Sequence, residues 1–145
     1  MLMNDKQVAV NEVILSLREA ADHYLNAAQV LADRPVAEGF EARGRACSDA
    51  AAGLDKHIRR LGELPRRPDP ERETLDQILT RLGAGIAGDE SSRYARLLQH
   101  KEAAIEKTAD EALRQPLAED TLAAMERIRA EAHDHRVRLG EQVPE

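Results

Sequence analysis

Rings are the scarcest feature of this chain. Of its 145 residues only Tyr24, Phe40 and Tyr94 are aromatic, and tryptophan is absent. Base-stacking platforms and aromatic cages for cationic ligands need several rings, so both are excluded as its main business. The β-branched and aromatic residues on which strands draw are thin, while Ala, Leu, Glu and Arg recur throughout, which excludes an all-β fold. Cysteine occurs once, at Cys47, so no internal disulfide can form. That cysteine falls on an apolar periodic position and reads as a small buried hydrophobe. No apolar run approaches membrane-spanning length, and the opening Met-Leu-Met-Asn-Asp-Lys lacks the basic start and apolar stretch of a signal peptide. A cytoplasmic protein with no membrane partner is expected. Excess positive charge is lacking too: 21 basic against 27 acidic residues leave a formal charge of -6, which argues against nucleic acid as a partner. Arg59, Arg60, Arg66 and Arg67 cluster at the end of a predicted helix, where cations complement the C-terminal dipole.

What is present is periodic. Val10, Ile14, Leu17, Ala21, Tyr24, Ala28 and Leu31 alternate spacings of four and three, and Val13, Ala20 and Ala27 widen the stripe into that of a bundle helix with more than one neighbour. Asp33-Arg34-Pro35 ends this helix and opens the next. The second seam runs through Phe40, Gly44, Cys47, Ala51, Leu54, Ile58 and Leu61, to a stop at Gly62. Its small residues, Gly44 and Ala51, suit a close approach to Tyr24 and Leu17. Pro65, Pro68 and Pro70 then mark a linker, followed by a short amphipathic helix carrying Leu75, Ile78, Leu79 and Leu82. The third seam is Ala95, Leu98, Glu102, Ile105, Ala109 and Ala112. After Gln115-Pro116 the fourth is Ala118, Thr121, Met125, Ile128, Ala132, His135 and Leu139. The expectation is an all-α single domain, a four-helix bundle with helices at 6–32, 35–62, 91–114 and 117–140. Two antiparallel hairpins are joined by a crossover at 63–90 with its short helix at 75–83. One long crossover between the second and third helices is the ferritin-like connectivity.

The chain resembles a family of bacterial ferritin-like four-helix-bundle proteins of unknown function. The resemblance is clearest at Leu17-Arg18-Glu19-Ala20-Ala21-Asp22-His23-Tyr24-Leu25-Asn26-Ala27-Ala28, at Arg59-Arg60-Leu61-Gly62-Glu63-Leu64-Pro65, from Lys101-Glu102-Ala103-Ala104 to Ala112-Leu113, and at Ala132-His133-Asp134. It implies the fold, a prokaryotic source and weak associations with oligomerisation and stress. It brings no catalytic motif, and His133 is the position that matches the family's fourth-helix histidine.

A ferritin-type di-metal centre needs inward carboxylates on two helices and an inward Glu-x-x-His on each of the other two. This sequence has no Glu-x-x-His. Glu19 and His23 are one turn apart, but the seam assigns both to the outer, solvated face of the first helix. In the second hairpin Glu102 and His135 fall on seam positions and Glu131 precedes His135 by one turn. Folding that hairpin about residues 115–118 sets Glu102 opposite about residue 130. The favoured reading is a partly buried Glu102–His135 hydrogen-bonded pair. The alternative is iron or manganese held by Glu102, Glu131 and His135, with a stress or iron-handling role. No side chain is assigned a catalytic or cofactor-binding role. The functional expectation is a non-enzymatic bundle acting through self-association, as a dimer, or through other protein contacts. Apolar strips at Leu25, Ala32, Leu113 and Leu122 would serve that purpose.

Overall fold

The computed structural model describes residues 5–60 and 90–141. Four helices make up the described elements: α1 (Asp5–Val30), α2 (Arg34–Arg60), α3 (Glu90–Leu113) and α4 (Glu119–Glu141). They form an all-α four-helix bundle. The expected short helix at 75–83, with the rest of the expected link up to residue 89, lies outside the described residues.

Local chemistry sets the helix ends. The Asp33 carboxylate accepts from the Val36 amide at 3.2 Å and its carbonyl accepts from Ala37 at 2.9 Å. This N-cap lets Pro35 occupy the first turn, where its missing N–H costs nothing. At the other hairpin, α3 closes in a tight turn, with the Gln115 amide on the Ala112 carbonyl at 3.0 Å. α4 begins at Glu119, two residues later than the periodicity suggests. Ala118, expected on the seam, is therefore exposed ahead of the helix, while Glu119 and Asp120 place negative charge in the first turn, where the dipole favours it.

The seams are the core. Val10, Ile14, Leu17, Ala21, Tyr24 and Leu31 of the first hairpin's leading strip are buried, and so are the widening residues Val13, Ala20 and Ala27. Across from them lie Phe40, Cys47, Ala51, Leu54 and Ile58. All six seam residues of α3 are buried, as are Thr121, Met125, Ile128, Ala132 and Leu139 of α4. Tyr24 and Phe40, two of the three rings, meet edge to face with centroids 5.6 Å apart and planes at 71°, a favoured aromatic geometry.

Cross-helix bonds give the directions. Lys101 reaches Glu19, Tyr24 reaches Glu102 and Thr108 reaches Ser16, so α1 and α3 run antiparallel side by side. Arg43 faces Glu131 and His57 bonds Thr121, so α2 and α4 are antiparallel neighbours too. Around the bundle the order is α1, α2, α4, α3, with α2 and α3 parallel across the diagonal. The α2–α4 contact is the loosest of the four sides, and the candidate site lies there.

At Gly44 the α1 and α2 helices approach each other closely. A Cβ at that position would stand 3.0 Å from Leu25 Cγ and 3.1 Å from Tyr24 Cβ. Leu25 can yield by turning its side chain. Tyr24 cannot, because the contact is with its Cβ, which the α1 backbone fixes. Gly44→Ala is therefore expected to be destabilising, by up to about 2 kcal/mol after the helix-propensity gain of roughly 1 kcal/mol is subtracted from the overpacking cost. Gly53 is exposed in the same helix and its Cβ would meet nothing within 4 Å. Gly53→Ala is expected to stabilise by about 0.5–1 kcal/mol. Urea unfolding of both variants checks the opposite signs, and equal signs would refute the close-approach argument.

Candidate functional site

Glu102 sits on the α3 seam between Leu98 and Ile105, and its helix aims it into the bundle: it is 0% exposed. An isolated buried carboxylate is costly, so partners are required. Arg43 of α2 supplies two: Nε donates to Oε2 and Nη2 to Oε1, each at 2.8 Å. This is the bidentate fork that suits a guanidinium to a carboxylate. The Tyr24 hydroxyl of α1 donates to Oε2 at 2.6 Å. One carboxylate on α3 thereby ties together side chains from α1 and α2.

The electrostatics follow from this geometry. Burial works against the charge on Arg43, yet its hydrogen bonds to Glu102 and the neighbouring negative charge hold its pKa above the usual arginine value. Burial, followed by the adjacent Glu102 charge, drives the Tyr24 hydroxyl well above the usual tyrosine range. Burial pushes the Cys47 thiol up to about 12, which leaves it protonated and unreactive as a nucleophile.

The expected Glu102–His135 pairing is replaced by this cluster. Arg43 provides a full positive charge and two donors in fork geometry, where a neutral imidazole would provide one. The register of the second hairpin also differs from the expectation. Glu106 bonds His133 and Asp110 bonds Arg129. Each step of four along α3 is matched by a step of four back along α4, so Glu102 is level with Val137 rather than with residue 130. The link at 114–118 carries the chain beyond the end of α3 before α4 turns back. Of the two histidines, His135 is the half-buried one, and burial followed by the nearby Arg43 charge lowers its pKa. His133 is exposed and shares Glu106 with Arg136. Burial opposes ionisation of Glu106, but those two partners hold its carboxyl below the ordinary value.

Glu102, Glu131 and His135 do gather in one region, as the spacing implied, but they gather around Arg43. Glu131 Oε2 lies 3.8 Å from Arg43 Nη1, and Arg43, Glu131 and His135 line one cleft. Among the described residues no group of three or more His, Cys, Asp or Glu side chains is placed to hold a metal ion. Arg43 itself was missed by sequence reasoning. A signal existed: an inward Glu on one seam demands an inward cation, and Arg43 lies three residues after Phe40 and four before Cys47.

The assignment of Glu19 and His23 to a solvated outer face is corrected. His23 is only 7% exposed and its Nδ1 is buried without a hydrogen-bond partner. Glu19 is half-buried and bonded to Lys101 at 2.6 Å. α1 packs against α3 as well as α2, so this flank is interior. Burial, followed by the Lys101 charge, lowers the His23 pKa to about 4.

Above the Arg43 cluster a cavity of about 360 Å³ opens between the start of α2 and the end of α4. Tyr24, Pro35, Val36, Phe40 and Leu139 give it apolar walls, Arg43, His135 and Arg138 give it basic groups, and Gly39 leaves room at its edge. No described helix is long and apolar enough to cross a membrane. Compared with family models, curated proteins and solved structures, the chain matches none.

Proposed function

We propose that this chain is a non-enzymatic, ferritin-like helical bundle that works by binding, with the cleft between α2 and α4 as its receptor site. The ferritin-like reading is supported by the parallel course of α2 and α3, which sets the two ends joined by residues 61–89 at opposite ends of the bundle. The binding reading is carried by one observation: a cavity of about 360 Å³ with apolar walls, set over a guanidinium already locked in place by Glu102 and Tyr24. Small-molecule sites are concave, mostly apolar and pre-formed around a few fixed polar groups. The lone thiol is buried and protonated, so it supplies no nucleophile.

Iron or manganese ligation by Glu102, Glu131 and His135 fits these residues less well. Both Glu102 oxygens accept from Arg43, and a divalent ion placed among the three would meet the guanidinium's charge at close range. Self-association is the second proposed mode. It is supported by Ala32 and Leu122, which are exposed, together with Val30 at the end of α1. Leu25 and Leu113 contribute less, since both are half-buried.

The test is an amide-resolved NMR titration against a mixed library of small organic compounds. Amide signals of residues 36–43 and 135–139 are expected to move while those of the α1–α3 contact stay in place. A library that moves nothing in those two segments would remove the cleft reading, and sedimentation of the same sample as a monomer would remove self-association.

A further inference from the structure

We infer that the cleft selects a small carboxylate with an apolar body, its anionic end on Arg43 and Arg138 and its hydrocarbon end against Phe40, Val36 and Leu139. The inference rests on the cleft being the binding site, and it names the ligand class.

A guanidinium has five N–H groups on three nitrogens. Nε and Nη2 of Arg43 are used on Glu102 at 2.8 Å each. Among the described residues Nη1 faces Glu131 alone, at 3.8 Å, which is beyond hydrogen-bonding distance, and the Glu131 side chain is half in solvent. Arg43 is nonetheless only 6% exposed. Arg43 lines the cavity and its Nη1 still reaches solvent, so it keeps donors to offer an incoming acceptor. The Glu102 fork fixes the plane of the guanidinium in advance, so a ligand would bear little of the cost of ordering it.

The remaining lining decides which acceptor. Arg138 stands at the rim of the same cavity, exposed and without an ion pair among the described residues. His135, half-buried beside it, offers ring nitrogens. The acidic groups at this face, Glu131 and Asp134, lie on the adjoining side of the cleft, away from the apolar wall. The anionic end of a ligand would take over the place that Glu131 holds weakly. The other walls are hydrocarbon and two aromatic rings, which a bare phosphate or sulfate would leave unfilled. A carboxylate carrying a short chain or ring fills both halves.

The test compares octanoate with octanol, matched in chain and differing in charge, by calorimetry and by the same amide-resolved NMR. Octanoate is expected to bind about tenfold more tightly or better, the value of one charge-assisted hydrogen bond. Arg138→Gln is expected to weaken octanoate about threefold and leave octanol unchanged, consistent with an exposed cation. Gly39→Leu, at a position with open space around its Cβ, is expected to abolish binding of both without loss of fold. Equal affinity for octanoate and octanol would overturn the carboxylate inference and keep the cleft as a binding site. Octanoate binding that survives Gly39→Leu would overturn it as well. If neither compound nor any library member moves the cleft signals, the binding reading falls together with it.

Discussion

Glu102→Ala is expected to lower the unfolding free energy by about 3–5 kcal/mol, the range for removing one partner of a buried ion pair. The loss is larger than one contact would suggest because two groups are stranded. Arg43 keeps its charge in a site that is 6% exposed, and the Tyr24 hydroxyl loses its acceptor. Tyr24→Phe should cost less, about 1–3 kcal/mol for one hydrogen bond to a charged group, since the Arg43 fork survives. The informative variant is the double one. Replacing both charges, as in Arg43→Met with Glu102→Leu, should recover most of the loss, because no unpaired charge is left behind and two apolar side chains of similar size join Tyr24, Cys47 and Ile105. Urea unfolding of Arg43→Met, Glu102→Leu and the double gives the coupling energy directly. Additive losses, with the double variant the least stable, would show that Arg43 and Glu102 do not depend on each other, and the account of the core would fail.

Acid is expected to destabilise the protein from about pH 6.5 downward, through His23. His23 has its pKa lowered from 6.5 to about 4 by burial and then by Lys101. As pH falls below 6.5 the unfolded chain takes up a proton that the folded chain refuses, so folding stability drops with pH across that interval. The contribution present above pH 6.5 is fully lost once the pH is below about 4. Its size is on the order of 3 kcal/mol. Glu106 acts in a different window. Its carboxyl is held below its ordinary value of 4.5, so what it contributes is lost only in stronger acid. His23→Leu removes the titrating ring and the unpartnered Nδ1 together, so it should flatten the slope of stability between pH 6.5 and about 4. It should also leave the neutral-pH stability equal or higher. Urea midpoints measured through that interval decide the matter. A variant with the same slope as the parent would assign the acid sensitivity to other groups.

The two cases show what could be read from the chain and what could not. The recurrence of apolar residues every three or four positions is a local property, created by a helix of 3.6 residues per turn, and it needs no knowledge of neighbours. Hence the four helices and nearly all of the core among the described residues were legible, from Val10 to Leu139, while the expected end of α2 at Leu61 and Gly62 lies outside the described residues. The interior position of Glu102 was legible for the same reason. His23 was misplaced because a seam records one contact stripe, while α1 is packed on two sides, and only the position of α3 says which flank is the second.

Arg43 was missed for a related reason. Its Cα lies beside the seam and its long side chain carries the charge inward, so its burial depends on what receives it. By itself, then, the sequence determined four helices, the inward face of each and the presence of a carboxylate that had to be neutralised. Tertiary structure decided that the neutralising group is a guanidinium from α2 and that α1 and α3 are neighbours. It also decided that the α2–α4 side stays open. These outcomes depend on which helices lie side by side and how far long side chains reach between them, and neither is encoded in the spacing along any one helix.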